Sequence, residues 1–351
     1  YIRNYGKALL QSLPETTTVV DKSPMVVDAV SRFLQGETVD STHVWGSLPT
    51  ASYELSPEQR RIVECPSKRI LVRAAAGSGK THVLITRLIR FVESGHAKPG
   101  EVLALTFTNK AMNVMYDRIE ASLGGEKAYL MHANVLTYHK LAMRIIRQDD
   151  REKGAETGFL DENDPEQQQA LFTLARQSAG LTEAVLNNED ALTLVGYAQN
   201  GLVNEAELEA KIPELKINHT LLAKFAKFFL AYVSILRERG LIDYGEAIVR
   251  AVRILRENKA QAQRWSNRFK WIFCDEYQDT SPAQATLLQL LGQQANLFVV
   301  GDNNQSIYSW QGSGPENLRR FEMDFPNTAS FNLSKNYRCF PKLVRMSSHF
   351  L

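Results

Sequence analysis

Apolar and polar positions follow two different rhythms along this chain. The first is a set of short, nearly continuous apolar runs that end abruptly in polar or glycine-containing segments. One begins at Arg69 in "RILVRAAAGSGKTHVL"; others are Val102 to Leu105, Trp271 to Cys274, Leu297 to Val300 and Ser330 to Leu333. Runs of this length predict buried strands of a parallel sheet. The second rhythm is helical. "TLLAKFAKFFLAYVSILRERG" places Leu221, Leu222, Phe225, Phe228, Phe229, Tyr232, Val233 and Leu236 on one stripe, which Gly240 stops. "DYGEAIVRAVRILREN" repeats the pattern, and Asp164-Pro165 reads as a helix start in the polar, acidic stretch before it.

Together these rhythms predict an α/β fold. A parallel sheet is built from residues 51–140 and 264–351, and an α-helical domain is inserted between them at 141–263. Residues 1–50 read as an extension and linker, with a short amphipathic helix in "MVVDAVSRFLQG" and no recognisable chemistry.

Chemistry gathers where the apolar runs stop. After the first run comes the loop Ala74, Ala75, Ala76, Gly77, Ser78, Gly79, then Lys80, Thr81 and a helical pattern. Strand, small-residue loop and helix is the context that a phosphate-binding loop requires. Gly77 and Gly79 let successive backbone N–H groups turn toward phosphate oxygens, and the helix adds its positive end. Lys80 suits the β- and γ-phosphates, and the Thr81 hydroxyl suits Mg²⁺. Ala74 stands where the pattern has its first glycine. These residues point to a nucleoside triphosphate.

The run Trp271 to Cys274 leads straight into Asp275 and Glu276. At the carboxyl end of a strand, Asp275 is placed to hold Mg²⁺ and Glu276 to act as general base on the attacking water. Gly301-Asp302 and Gln305 follow the next strand, and Gln305 has the reach and two-sided hydrogen bonding to sense a γ-phosphate. Asn336, Tyr337 and Arg338 follow the last. Arg338 can neutralise charge on a transferring phosphoryl group, or form an ordinary surface salt bridge.

Seven segments in order resemble one family, the UvrD/Rep/PcrA-type superfamily 1 DNA helicases: "LSPEQRRIV", "AAAGSGKT", "TFTNKAM", "LTYHKLAMRII", "DEYQDT", "VVGDNNQSIYSWQGS" and "FNLSKNYR". The resemblance runs from about Leu55 to Arg338. It implies a RecA-like core that binds ATP and Mg²⁺, moves 3′ to 5′ on single-stranded DNA and separates duplexes at junctions. It implies Gln59 as the adenine-reading glutamine, Tyr337 stacked on the base, Gln305 as γ-phosphate coupler and Arg338 as one of two arginine fingers. Departures are visible. His82 stands where such helicases often carry arginine beside the adenine, Gln311 replaces an arginine after Trp310, and Asn303-Asn304 replace a more acidic pair. The family's second RecA-like domain has no counterpart in these residues, so the chain alone is expected to be poorly active. The motor part of an AddA- or RecB-like helicase–nuclease, and an ATP-dependent DNA-binding regulator without unwinding, stay open as alternatives.

Loop positions next to polar and basic residues suggest the DNA contacts. Phe107, Tyr308 and Trp310 are read as base-stacking platforms, and Thr108, Asn109 and Lys110 as phosphate contacts. For Tyr138 and His139, stacking and core packing are equally open.

Composition fits a globular protein, with 44% hydrophobic and 23% charged residues. No apolar run is long enough to span a membrane. Cys65, Cys274 and Cys339 lack metal-ligand spacing and read as reduced thiols of a cytoplasmic protein, nucleoid-associated if bacterial. The net charge of +2 hides an asymmetry: residues 51–140 carry 13 Lys+Arg against 8 Asp+Glu, while residues 141–263 carry 15 against 19. A nucleic-acid track is expected on the basic pieces. The chain begins at Tyr1 and stops soon after Arg338, so both ends read as cut.

Overall fold

The computed structural model describes residues 54–160, 164–201, 219–305 and 316–338. The helix expected in the first fifty residues, the side chains of Leu221 and Leu222, and Tyr308, Trp310, Gln311 and Cys339 lie outside the described residues.

Eight strands are described: β1 (Arg69–Ala74), β2 (Val102–Thr106), β3 (Val135–Thr137), β4 (Gly158–Phe159), β5 (Leu241–Ile242), β6 (Trp271–Cys274), β7 (Asn296–Gly301) and β8 (Ala329–Leu333). Six of them form one sheet in the order β3-β2-β6-β7-β1-β8, every pair parallel. This is the α/β class expected from the apolar runs. Each interior strand is covered on both faces, which is why its sequence shows no alternation. Alternate residues nevertheless go to opposite cores. Leu71, Leu103, Leu105, Ile272, Leu297 and Val299 belong to one cluster, and Ile70, Val72, Val102, Ala104, Phe273 and Val300 to the other.

Twelve α-helices complete the described residues: α1 (Pro57–Glu64), α2 (Lys80–Glu93), α3 (Asn109–Leu123), α4 (Gly125–His132), α5 (Tyr138–Lys153), α6 (Pro165–Ser178), α7 (Asn188–Asn200), α8 (His219–Glu238), α9 (Tyr244–Glu257), α10 (Lys259–Arg268), α11 (Pro282–Gly292) and α12 (Glu316–Asp324). Asp164 starts α6 as expected, accepting a hydrogen bond from the Gln167 N–H at 3.0 Å. The stripe on α8 is buried from Phe225 to Leu236. The cores divide the helices more narrowly than 141–263. α5, α9 and α10 share the core of the sheet, whereas α6, α7 and α8 surround a third cluster of their own, from Leu160 to Leu236.

This helical module joins the rest through the parallel pair β4 and β5, where the Gly158 N–H donates to Gly240 O at 2.8 Å and Leu160 N–H to Ile242 O at 2.9 Å. Beside it sits a buried carboxylate, Asp243. It caps α9 by accepting from the Glu246 N–H at 2.7 Å, and it also accepts from Gln199 Nε2 at 2.9 Å and the Tyr232 hydroxyl at 2.8 Å. Gly245 makes room for this contact, since a Cβ there would lie 2.0 Å from Gln199 Oε1. Asp243→Ala would strip one helix cap and leave two buried donors without an acceptor, a loss of about 2–4 kcal/mol. Denaturant unfolding checks this, and an unchanged midpoint would count against the three-helix role of Asp243.

Candidate active site

The strand register brings the reactive residues to one edge. Arg73 pairs with Gly301, Ala74 with Leu333, and Cys274 with Val299, so the loops after β1, β6, β7 and β8 emerge side by side. β7 lies between β1 and β6, and the Lys80 ammonium that follows β1 reaches both Asp302 after β7 and Glu276 after β6.

After β1 the loop folds on itself. The Ser78 hydroxyl donates to Ala75 O at 2.7 Å, and the Ala75 N–H donates to Leu333 O at 3.0 Å. Gly77 and Gly79 take the left-handed conformation, with φ of 70° and 87°. Neither could carry a side chain in place: a Cβ on Gly77 would meet Asn336 Oδ1 at 2.7 Å, and one on Gly79 would meet Gln59 Nε2 at 2.8 Å.

Lys80, the first residue of α2, is buried, and its Nζ makes no hydrogen bond among the described residues. Glu276 Oε2 lies at 3.5 Å and Asp302 Oδ2 at 3.6 Å from it. A buried ammonium with three undirected donors fits an oxyanion ligand. The Thr81 hydroxyl donates to Asp275 Oδ2 at 2.8 Å. Burial, then the neighbouring Glu276 charge, push Asp275 up to about 6, against the opposing pull of Thr81 and Lys80. Paired hard oxygen donors of this kind fit Mg²⁺, which keeps waters and phosphate oxygens for its other positions. Among the described residues no group of three or more His, Cys, Asp or Glu could hold a metal by itself.

Glu276 has φ 51° and ψ 44°, a left-handed backbone uncommon for a glutamate. Gln278 fixes its side chain, donating from Nε2 to Glu276 Oε2 at 3.0 Å. The other end of the same amide accepts from the Asp302 N–H at 2.9 Å, and Gln305 Nε2 donates to Asp302 Oδ2 at 2.6 Å. Glu276, Gln278, Asp302 and Gln305 thus form one connected chain of polar groups. Gln278 was not among the residues expected at the site, and only its position two residues after Glu276 points to it.

Gln59 closes the other side of the loop, donating from Nε2 to Ser78 O at 3.1 Å. His82 sits beside Gly79, its Cβ within 3.8 Å of where a glycine Cβ would lie. The segment after β8 lies over the loop: Asn336 Nδ2 donates to Ala76 O at 2.7 Å and the Tyr337 N–H to Gly77 O at 2.8 Å. Tyr337 is 49% exposed, with Lys335 Nζ 5.0 Å from its ring centre, and Arg338 is exposed.

The other expected contacts separate. At the carboxyl end of β2, Phe107 is half-buried and Thr108, Asn109 and Lys110 are exposed; Thr108 caps α3 through the Ala111 N–H at 3.1 Å. Tyr138 is a correction. It is 3% exposed within the sheet core, and burial raises its hydroxyl pKa strongly, so it offers no face for base stacking. His139 is half-buried, and burial lowers it to about 3, so it is neutral at physiological pH and brings no charge to a phosphate. Its ring stacks on Tyr244 with centres 3.5 Å apart, and Tyr244 is the exposed member of the pair at 45%. Nothing local in the sequence marks Tyr244, because the pairing joins residues from two distant helices.

Comparison with known proteins agrees with this geometry. The chain is 32% identical over 293 residues to the ATP-dependent DNA helicase PcrA of Leuconostoc citreum, covering 83% of this chain and 38% of that protein. It is 27% identical over 298 residues to the ATP-dependent DNA helicase Rep of Buchnera aphidicola, covering 85% and 44% respectively. For PcrA of Staphylococcus epidermidis the identity is 31% over 301 residues, covering 85% and 40%. The chain therefore spans less than half the length of these relatives. Residues 55–326 match the model of the UvrD/REP helicase N-terminal domain, and by that match the chain belongs to the UvrD/REP helicase family, with its RecA-like α/β core.

Proposed function

We propose that this chain is the ATP-binding and ATP-hydrolysing core of a DNA helicase that moves 3′ to 5′ along single-stranded DNA and opens duplexes at junctions. The observation that carries the reading is the convergence of Lys80, Thr81, Asp275, Glu276 and Gln305 at one end of the sheet. In this reading the loop Ala74–Gly79 cradles the phosphates, Lys80 faces the β- and γ-phosphates, and Gln59, His82 and Tyr337 surround the adenine. Thr81 and Asp275 hold Mg²⁺, which when bound neutralises charge on the phosphate oxygens. Glu276 takes the proton from the attacking water, held in line by Gln278. Arg338 serves the developing phosphoryl charge. Within residues 141–263, the stretch carrying α6, α7 and α8 is the helical insert in this reading, and α5, α9 and α10 belong to the core.

The route from nucleotide to DNA runs along the polar chain from Glu276 to Gln305 and into the segment carrying Tyr308 and Trp310. Phe107, Thr108, Asn109 and Lys110 supply a further edge of the DNA track. The relatives cited are named ATP-dependent DNA helicases, and the 3′-to-5′ polarity follows the motif resemblance. Strand separation on duplexes with a 3′ tail and with a 5′ tail, by a polypeptide carrying this chain, tests the reading. Unwinding confined to the 5′-tailed substrate would overturn the polarity, and an absence of nucleotide binding would overturn the core assignment.

The stack of Tyr244 on His139 adds one more expected contact. A half-exposed ring backed by a neutral imidazole is pre-oriented for a base. Tyr244→Ala is expected to weaken binding of an oligo-dT strand by about 1–3 kcal/mol. ATP affinity should be unaffected. Anisotropy titrations check this, and an unchanged oligonucleotide affinity would remove Tyr244 from the DNA surface.

A further inference from the structure

The short helix α1 carries Gln59 and is fixed from both ends. At its start, Ser56 and Gln59 form a reciprocal cap: the Gln59 N–H donates to Ser56 Oγ at 3.2 Å, and Gln59 Oε1 accepts from the Ser56 N–H at 3.1 Å. At its end stands Arg87, a residue of α2 that is 3% exposed. Its Nη1 donates to Ile62 O at 3.1 Å and Val63 O at 2.6 Å, and its Nη2 donates to Cys65 O at 2.8 Å. These carbonyls lie in and just past the last turn of α1, with Ile62 O also accepting from the Cys65 N–H at 3.3 Å, and a cation there meets the negative end of the helix dipole. The guanidinium is further held 4.7 Å from the centre of the Phe91 ring and 5.3 Å from that of Phe298. Burial lowers Arg87 to about 10, which leaves it charged at neutral pH.

Arg87 thus belongs to the same helix that begins with Lys80 and Thr81, yet it sets the position of the helix bearing Gln59. An eight-residue helix has little stability by itself. Apolar contacts at Ile62 and Val63 and the exposed ion pair of Arg90 with Glu64 at 3.1 Å hold it, and three directed bonds from one planar, buried group add an orienting restraint. The Gln59 amide spends one N–H on Ser78 O and one lone pair on the Ser56 N–H. One N–H and one lone pair remain. That pair matches the N7 acceptor and N6 amino donor of adenine, whereas guanine presents two acceptors at the same edge.

We propose that Arg87 is a positioning residue for nucleobase selection, holding α1 from its carboxyl end so that Gln59 keeps the orientation that distinguishes adenine from guanine. The proposal rests on the nucleotide reading given above. It is tested on the 351-residue chain by measuring dissociation constants for ATP, GTP and inorganic tripolyphosphate, with hydrogen exchange followed across α1. R87M is expected to lower the ATP-over-GTP preference about five- to tenfold, the worth of one directed hydrogen bond. Tripolyphosphate affinity should be unchanged, exchange in α1 should be faster, and R87M should add nothing to Q59A in the double variant. R87K keeps the charge, protecting the test against misfolding, but one ammonium cannot span three carbonyls; it should fall between parent and R87M. A folded R87K and R87M with the parental preference, or a parallel loss of tripolyphosphate binding, would overturn the role of Arg87 alone. A parent chain that does not bind ATP, or a Q59A variant with the parental preference, would overturn the underlying reading of the site and the proposal with it.

Discussion

Lys80→Ala is expected to remove ATP turnover from a polypeptide carrying this chain, by roughly 10²–10³-fold or more. Lys80 is 7% exposed, and its buried ammonium stands 3.5 Å and 3.6 Å from two carboxylates without hydrogen-bonding either. Its donors are therefore available to phosphate oxygens, and water around it is sparse, so each such contact is stronger than it would be in solution. Alanine removes those contacts and does something further. Glu276 and Asp302 lose their shared cation, and a triphosphate would then approach two uncompensated negative charges. Nucleotide affinity should fall together with turnover. The side chain of Asp302 is only 6% exposed, so the variant should also melt at a lower temperature than the parent. Steady-state hydrolysis, nucleotide titration and melting on one preparation check all three. Turnover at the parental rate would remove Lys80 from the chemistry.

Glu276→Gln should separate binding from chemistry. Glutamine keeps the size of the side chain, and its carbonyl still accepts the Gln278 amide that now lies 3.0 Å from Oε2. What it loses is the ability to take a proton from water, so turnover should fall roughly 10²–10⁴-fold. Removing a negative charge beside Lys80 and Asp275 should leave the affinity for ATP equal or higher. Single-turnover rates against titrated affinity test this. A glutamine variant that hydrolyses ATP at the parental rate would place the general base elsewhere.

These residues were legible in the sequence because their chemistry is local. A strand, two glycines, a lysine and a threonine occupy consecutive positions, and the acidic pair directly follows an apolar run. The six-stranded sheet was legible as five runs. The strand β3 has only three residues, too few for any period to register, and it was missed. The burial of Tyr138 follows from that omission: as the residue directly after β3 it begins α5 in the sheet core, whereas the sequence alone left its stacking role open. Asp243, Gln199 and Tyr232 were invisible for another reason. Their bonds join positions 44 and 11 residues apart, and no spacing rule reaches that far. Arg87 was equally invisible, since its bonds reach carbonyls 22 to 25 residues away.

The parallel pair β4 and β5 bears on how freely this chain can change its length. The helical module leaves the core at Phe159 and returns at Leu241, in strands that pair Gly158 with Leu241 and Phe159 with Ile242, so its two attachment points are about 5–6 Å apart. A segment anchored at adjacent points adds or sheds residues without pulling on its host. Gains and losses between those points would be absorbed inside the third hydrophobic cluster, leaving the register of the six strands, and the alignment of Lys80 with Asp275 and Asp302, where it is. The same tolerance does not extend to the segment between β6 and β7. There Gln278 bonds Glu276 and the Asp302 N–H at once, and a residue added between Glu276 and Gln278 would break that link.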